Sequence, residues 1–136
     1  MIALKAVDSE IPVVEHAVLL VEQLQSNLAI IHVNDLHAGS ISMMMNTPKK
    51  VTGDMIRDQV IDYGFEHILS GLDIIITKGN NIAKRIEHYC QGIDMFVLGH
   101  QRMSSLKENI TDSIDESITN LVSYPVLVVP HRLLKN

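Results

Sequence analysis

The chain has no tryptophan, and its two phenylalanines and three tyrosines bring the aromatic content to only 4% of 136 residues. A core built on aromatic rings is excluded, so the interior has to be filled by Val, Ile, Leu and Met. Cysteine occurs once, at Cys90. An intramolecular disulfide is therefore impossible, and a reducing compartment is expected. Positive charge is also scarce. Eleven Lys and Arg against 16 Asp and Glu give a formal charge of −5 and a pI near 5.7. A binder of phosphate backbones would carry a basic excess, so nucleic acid is not an expected partner. No apolar run approaches the roughly 18 residues of a membrane span. Residues 1–10, MIALKAVDSE, lack the basic start, apolar stretch and cleavage site of a secretory leader. The expectation is a cytoplasmic protein with no membrane contact.

What remains is a chain that is 46% hydrophobic with a mean hydropathy of +0.17, which excludes disorder and suits one compact domain over residues 1–136. A short apolar run at 2–7 predicts a strand ending at Asp8. Pro12 then stands where the first turn of a helix accepts it. Val14, Ala17, Val18, Val21 and Leu24 follow at three- and four-residue spacing. Continuous apolarity at 28–33, LAIIHV, predicts a buried strand. Residues 34–51 are irregular and hold Gly39, the Met43-Met44-Met45 run and Lys49-Lys50. They read as a connection whose methionines could cover a pocket or a dimer surface.

Thr52 can cap a helix running to about residue 70, with Met55, Ile56, Val60, Tyr63 and Ile68 on one side and Gly71 closing it. A strand at 72–77 and a turn at Lys78-Gly79 lead to a third helix carrying Ile82, Ile86 and Tyr89, ended by Gly92. A fourth strand at 95–98, a fourth helix at 112–122 and a fifth strand at 126–129 complete the chain, with Pro125 and Pro130 bracketing the last strand. Alternation of this kind predicts an α/β fold with a largely parallel sheet and helices on both faces. Ligands of such sheets bind beyond the carboxyl ends of the strands, where the winding switches. The residues expected there are Asp8, Asn34, Asp35, Lys78, Gly99 and His100.

Other reactive residue types do not assemble into a recognisable centre. His32, Asp35 and His37 form an H-x-x-D-x-H string, but His32 falls inside a strand and reads as a core histidine rather than a metal ligand. His16, His67, His88 and His100 add no ligand spacing. Cys90 lacks the basic surroundings that activate a thiolate and reads as a packed thiol. Ser104 and Ser105 have no identifiable base, and His100 reads as a solvated loop residue. No Walker motif, nucleophile elbow or HExxH is present. Neither a metal nor a catalytic residue is expected.

The order of these pieces resembles the universal stress protein family over nearly the whole chain. The residues that carry the likeness are AVDSE at the first strand end, IIHVND at the second and Gly79 after the third. The tail adds a strand ending in Gly99, a polar loop, a helix and PVLVVP. The resemblance implies a five-stranded parallel sheet in the order 3-2-1-4-5, of the adenine-nucleotide α-hydrolase-like type. It also implies a homodimer whose last strands pair, with Tyr124, Val126, Leu127, Val128 and Val129 on the dimer edge.

ATP-binding members carry a loop of the form Gly, two residues, Gly, nine residues, Gly, then Ser or Thr. The positions the resemblance would put on a nucleotide are Asp8, Val33, Gly99, Arg102 and Ser113. Here Gly99 and Ser113 match, whereas Arg102 and Asp112 replace the second and third glycines, and Ser9 follows Asp8 where the family commonly has glycine. Glycine lets backbone approach phosphate closely. Asp112, with Asp115 and Glu116, puts carboxylates at the helix start and repels a polyphosphate. The function implied is stress adaptation through dimerisation and protein partners, without turnover, a required cofactor or tight ATP binding. The alternatives are a switch that binds ATP or AMP, with the Arg102 guanidinium holding phosphate, and a nucleotide-hydrolysing enzyme on the same fold.

Overall fold

The computed structural model describes residues 1–4, 10–36, 39, 49–102, 118, 120 and 122–132, with residues 100–102 and 131–132 as backbone. The sheet has five strands: β1 (Ile2–Ala3), β2 (Leu28–Asn34), β3 (Leu72–Lys78), β4 (Phe96–Arg102) and β5 (Val126–Arg132). Every pairing is parallel, in the order β3-β2-β1-β4-β5. The all-parallel α/β architecture and its strand order are those the sequence and the resemblance lead one to expect. The two edges are β3 and β5, and the winding reverses between β1 and β4.

Among the described residues, α1 (Ile11–Leu24), α2 (Gly53–Asp62) and α3 (Ile82–Tyr89) link the strands. Pro12 lies in the first turn of α1, where its missing N–H costs nothing. That helix stops at Gln25, which takes φ 50° while the Ser26 N–H donates to the Val21 carbonyl at 3.0 Å. Thr52 caps α2 by accepting from the Met55 N–H at 3.3 Å, and Asn81 caps α3 by accepting from the Lys84 N–H at 3.1 Å. Ile118 and Asn120 are helical. The rest of the helix expected at 112–122, with Asp112 itself, lies outside the described residues.

Several boundaries differ from the sequence expectation. The first strand, expected over 2–7, is β1 (Ile2–Ala3), with Leu4 just beyond it and residues 5–9 outside the described ones. The helix expected over 52–70 breaks at Tyr63-Gly64, where Gly64 has φ +90°, and a 3-10 turn (Glu66–Gly71) carries the chain on to β3. Ile68 and Leu69 of that turn still pack on the core, so their apolar spacing survives the change of helix type. The fourth and fifth strands also run longer than 95–98 and 126–129. Pairing continues through Gly99–Val129 and His100–Pro130 to Arg102–Arg132. Gly99 therefore stands inside the ladder rather than at its end, and Pro130 lies within the edge strand instead of stopping it. An edge strand tolerates proline because the missing donor need not face a partner.

The sheet buries two apolar layers. On one face, Ile2, Leu4, Val13, Val14, Val18, Ile30, Ile56 and Val60 join α1 and α2 to the strands. On the other, Ile31, Ala83, Ile86, Cys90, Phe96, Leu98 and Ile118 hold α3. The interior is aliphatic as expected, with Phe96 as its fully buried aromatic ring. Each fully buried Ile or Phe contributes about 1.5–3 kcal/mol of transfer free energy, so these layers hold the fold.

Candidate functional site

At the carboxyl ends of the central strands, polar side chains are spent on tying strand ends together. Asn34 closes β2 and is buried. Its Nδ2 donates to the Val51 carbonyl at 2.8 Å, and its Oδ1 accepts from the Val51 N–H at 2.9 Å. The Asn34 carbonyl accepts from the Gly79 N–H at 3.0 Å. One asparagine thus anchors the start of α2 and the turn after β3 to the end of β2. An amide side chain suits this position because it offers a donor and an acceptor side by side, matching a peptide group.

His32 is buried within β2, and its Nδ1 lies 2.6 Å from the Leu4 carbonyl. The Nδ1–H donates there and ties the end of β1 to β2. His32 is a core histidine, as its strand position indicates. Tyr63 makes a third tie. Its hydroxyl accepts from the Glu10 N–H and from Gln59 Nε2, each at 2.9 Å, which joins the end of α2 to the start of α1. Apolar periodicity places Tyr63 on a buried stripe but does not report its hydroxyl.

Of the positions the resemblance would put on a nucleotide, Val33 is half-buried against the second apolar layer. Gly99 and Arg102 are paired residues of β4. Asp8 and Ser113 lie outside the described residues, as do Ser104 and Ser105, His37, and the side chains of His100 and Arg102. No three His, Cys, Asp or Glu among the described residues converge in a way that could hold a metal ion.

The residues expected on the dimer edge divide by orientation. Val129 is buried in the first layer, and Val126 and Tyr124 pack against the second. Leu127 and Val128 are exposed, at 38% and 44%. Among the described residues β5 pairs with β4 alone, and no described strand lies beside its outer backbone groups.

Cys90 is buried beside Tyr124, and its thiol donates to Met1 Sδ at 3.5 Å. Burial pushes this thiol above its ordinary pKa, so it is a neutral packed group at physiological pH. The Tyr124 hydroxyl is buried without a hydrogen-bond partner among the described residues. Burial, with the Cys90 thiol adding to it, raises its pKa also. A cavity of about 580 Å³ opens at the opposite end of the sheet, where Leu24 of α1, Asp73, Asp94 and Met95 surround the strand starts. Nothing in the sequence patterning marks that end. No protein-family model matches the chain, and a search of curated proteins finds no match.

Proposed function

We propose that this chain is a universal stress protein of the adenine-nucleotide α-hydrolase-like type. In this reading it works in the cytoplasm through dimerisation and protein partners, without turnover and without tight ATP binding. The observation that carries the reading is β5. Among the described residues it is an edge strand with no strand on its outer flank, and it presents Leu127 and Val128 to solvent. An edge of this kind is a template for pairing with a second strand. The continuous β4–β5 pairing from Phe96 to Arg102 supports the weak-nucleotide part. Gly99 and the Arg102 backbone belong to a ladder there, not to an open loop of free N–H groups that could cradle phosphate. The sequence likeness and the strand order 3-2-1-4-5 support the family assignment.

The test is the native mass at micromolar concentration. A dimer is expected, converted to monomer when Leu127→Lys and Val128→Lys place like charges on both copies of the edge. A monomeric wild type overturns the reading. For the nucleotide part, a melting curve unmoved by millimolar ATP with Mg²⁺ is expected. A ligand present at 100 times its dissociation constant would add about 2.7 kcal/mol, and a clear upward shift would refute weak binding.

A further inference from the structure

We propose that the carboxyl ends of β2 and β3 form a docking surface for an acidic polypeptide segment that also carries large apolar side chains. The inference rests on the reading that the protein acts through protein partners, and it names the chemistry of one. Five of the eleven Lys and Arg residues stand on this rim. Lys78 ends β3 as the register partner of Asn34. The paired bonds from Asn34 to Val51 hold the preceding Lys49 and Lys50 beside it. Lys84 lies in the first turn of α3. Arg85 folds back over Gly79, its Nε donating to the Lys78 carbonyl at 2.9 Å.

All five are exposed. The ion pair among the described residues joins His67 to Glu22, near the far end of α1, and involves none of them. Among the described residues the carboxylates near this rim are Asp35 after β2, Asp54 in the first turn of α2 and the buried Glu10 at the start of α1. Both α2 and α3 begin here, so their partial positive ends add to the field. A protein with a formal charge of −5 therefore keeps a positive pole at one end of its sheet, and such a pole selects an anionic partner.

Two further residues decide what kind of anion. Leu36 and Ile82, among these cations, are 49% and 38% exposed. Phosphate chains and nucleic-acid backbones have no use for aliphatic contacts, and among the described residues no aromatic ring stands between the cations to stack a base. A peptide that alternates carboxylates with Leu or Phe meets both features. These residues are spread across two strand ends and the starts of α2 and α3, which suits an extended polypeptide segment.

The test uses the whole protein and a fluorescein-labelled peptide of alternating Asp and Leu, read by anisotropy at low salt. Binding is expected to weaken as salt screens it. The double variant Lys78→Glu, Lys84→Glu should weaken it by about tenfold or more, Lys84→Gln by less, and Ile82→Ser measurably. Gln23→Glu adds negative charge near the far end of α1, away from the rim, and should leave binding unchanged. Circular dichroism melts matching the wild type show that the variants fold. No anisotropy change with wild type, or equal binding by the double variant, overturns the proposal. Tighter binding of oligo-dT or of sodium tripolyphosphate than of the peptide overturns the choice of occupant. Light scattering separates the two readings. A dimeric wild type that ignores the peptide overturns this surface alone, and a monomer that binds it through the rim overturns the dimer alone.

Discussion

Replacing Asn34 tests whether its side chain holds the strand ends together. Both of its bonds to Val51 have near-ideal lengths, 2.8 and 2.9 Å, and both residues are buried. Asn34→Ala removes two hydrogen bonds and leaves the Val51 N–H and carbonyl without partners, since water cannot easily replace the amide. Each bond is worth about 0.5–1.5 kcal/mol net, and each buried group left unsatisfied costs about 1–3 kcal/mol, so a loss of about 2–4 kcal/mol is expected. The assay is urea unfolding, with the midpoint falling and the slope unchanged.

Asn34→Asp gives a sharper signature. The introduced carboxylate keeps the bond from the Val51 N–H but faces the Val51 carbonyl with an oxygen instead of a donor. It regains that bond only when protonated, so its folded pKa lies above the ordinary value of about 3.9. A folded pKa raised in this way means stability is present below the unfolded pKa and is lost as pH rises through the folded one. The variant should therefore approach wild-type stability near pH 4 and fall away toward pH 7. An Asn34→Ala loss below about 0.5 kcal/mol, or an Asn34→Asp deficit that does not shrink on acidification, would refute the reasoning.

Three other outcomes follow from the packing and from the buried thiol. Phe96→Ala should cost about 3–5 kcal/mol in urea unfolding, because the ring is fully buried between β4 and α3. Gly79→Ala should cost about 0.5–1.5 kcal/mol, the worth of one hydrogen bond. Its added Cβ would meet Arg85 Cγ at 2.8 Å, but that side chain is flexible and can swing away by giving up its bond to Lys78. Cys90 and Tyr124 both have pKa values raised by burial, so the folded state holds protons that the unfolded state releases in base. Their contribution is intact below the unfolded thiol pKa of about 8.5 and is lost as pH climbs through the raised values. The melting temperature should decline above about pH 9, and Cys90 should react with a thiol reagent only after urea is added.

The architecture was legible in the sequence because its signals are local and repeated: short aliphatic runs, three- and four-residue stripes, and a cap at Thr52. The extent of β4 was not legible. Gly99-His100-Gln101-Arg102 reads as a polar loop, and only the parallel partner at 129–132 gives those residues a ladder to join. The ties made by Asn34, His32 and Tyr63 were hidden for a related reason. Each depends on a backbone group brought close by the fold, at sequence separations of 17, 28 and 53 residues. The break in α2 was masked because Ile68 keeps its helical spacing while Gly64 changes the backbone beneath it. In the candidate site, residue types were readable and their commitments were not. Asn34 faces the expected crevice by position, yet both ends of its amide are occupied.

The second edge of the sheet bears on how the chain avoids its own kind. β3 presents Leu72–Lys78, LDIIITK, with no described strand on its outer side. A run of three isoleucines on an open edge is the composition that seeds strand-to-strand aggregation. Asp73 and Lys78 flank that run, both exposed and of opposite sign. Charges at such places discourage growth of a cross-β stack while leaving the native pairing with β2 untouched. Asp73→Ala should therefore leave the urea midpoint nearly unchanged and raise turbidity during refolding at high concentration. Unaltered refolding yield would remove that role from Asp73. The opposite edge at β5 carries no such acidic guard beside Leu127 and Val128, so the sheet would extend in one direction and be blocked in the other.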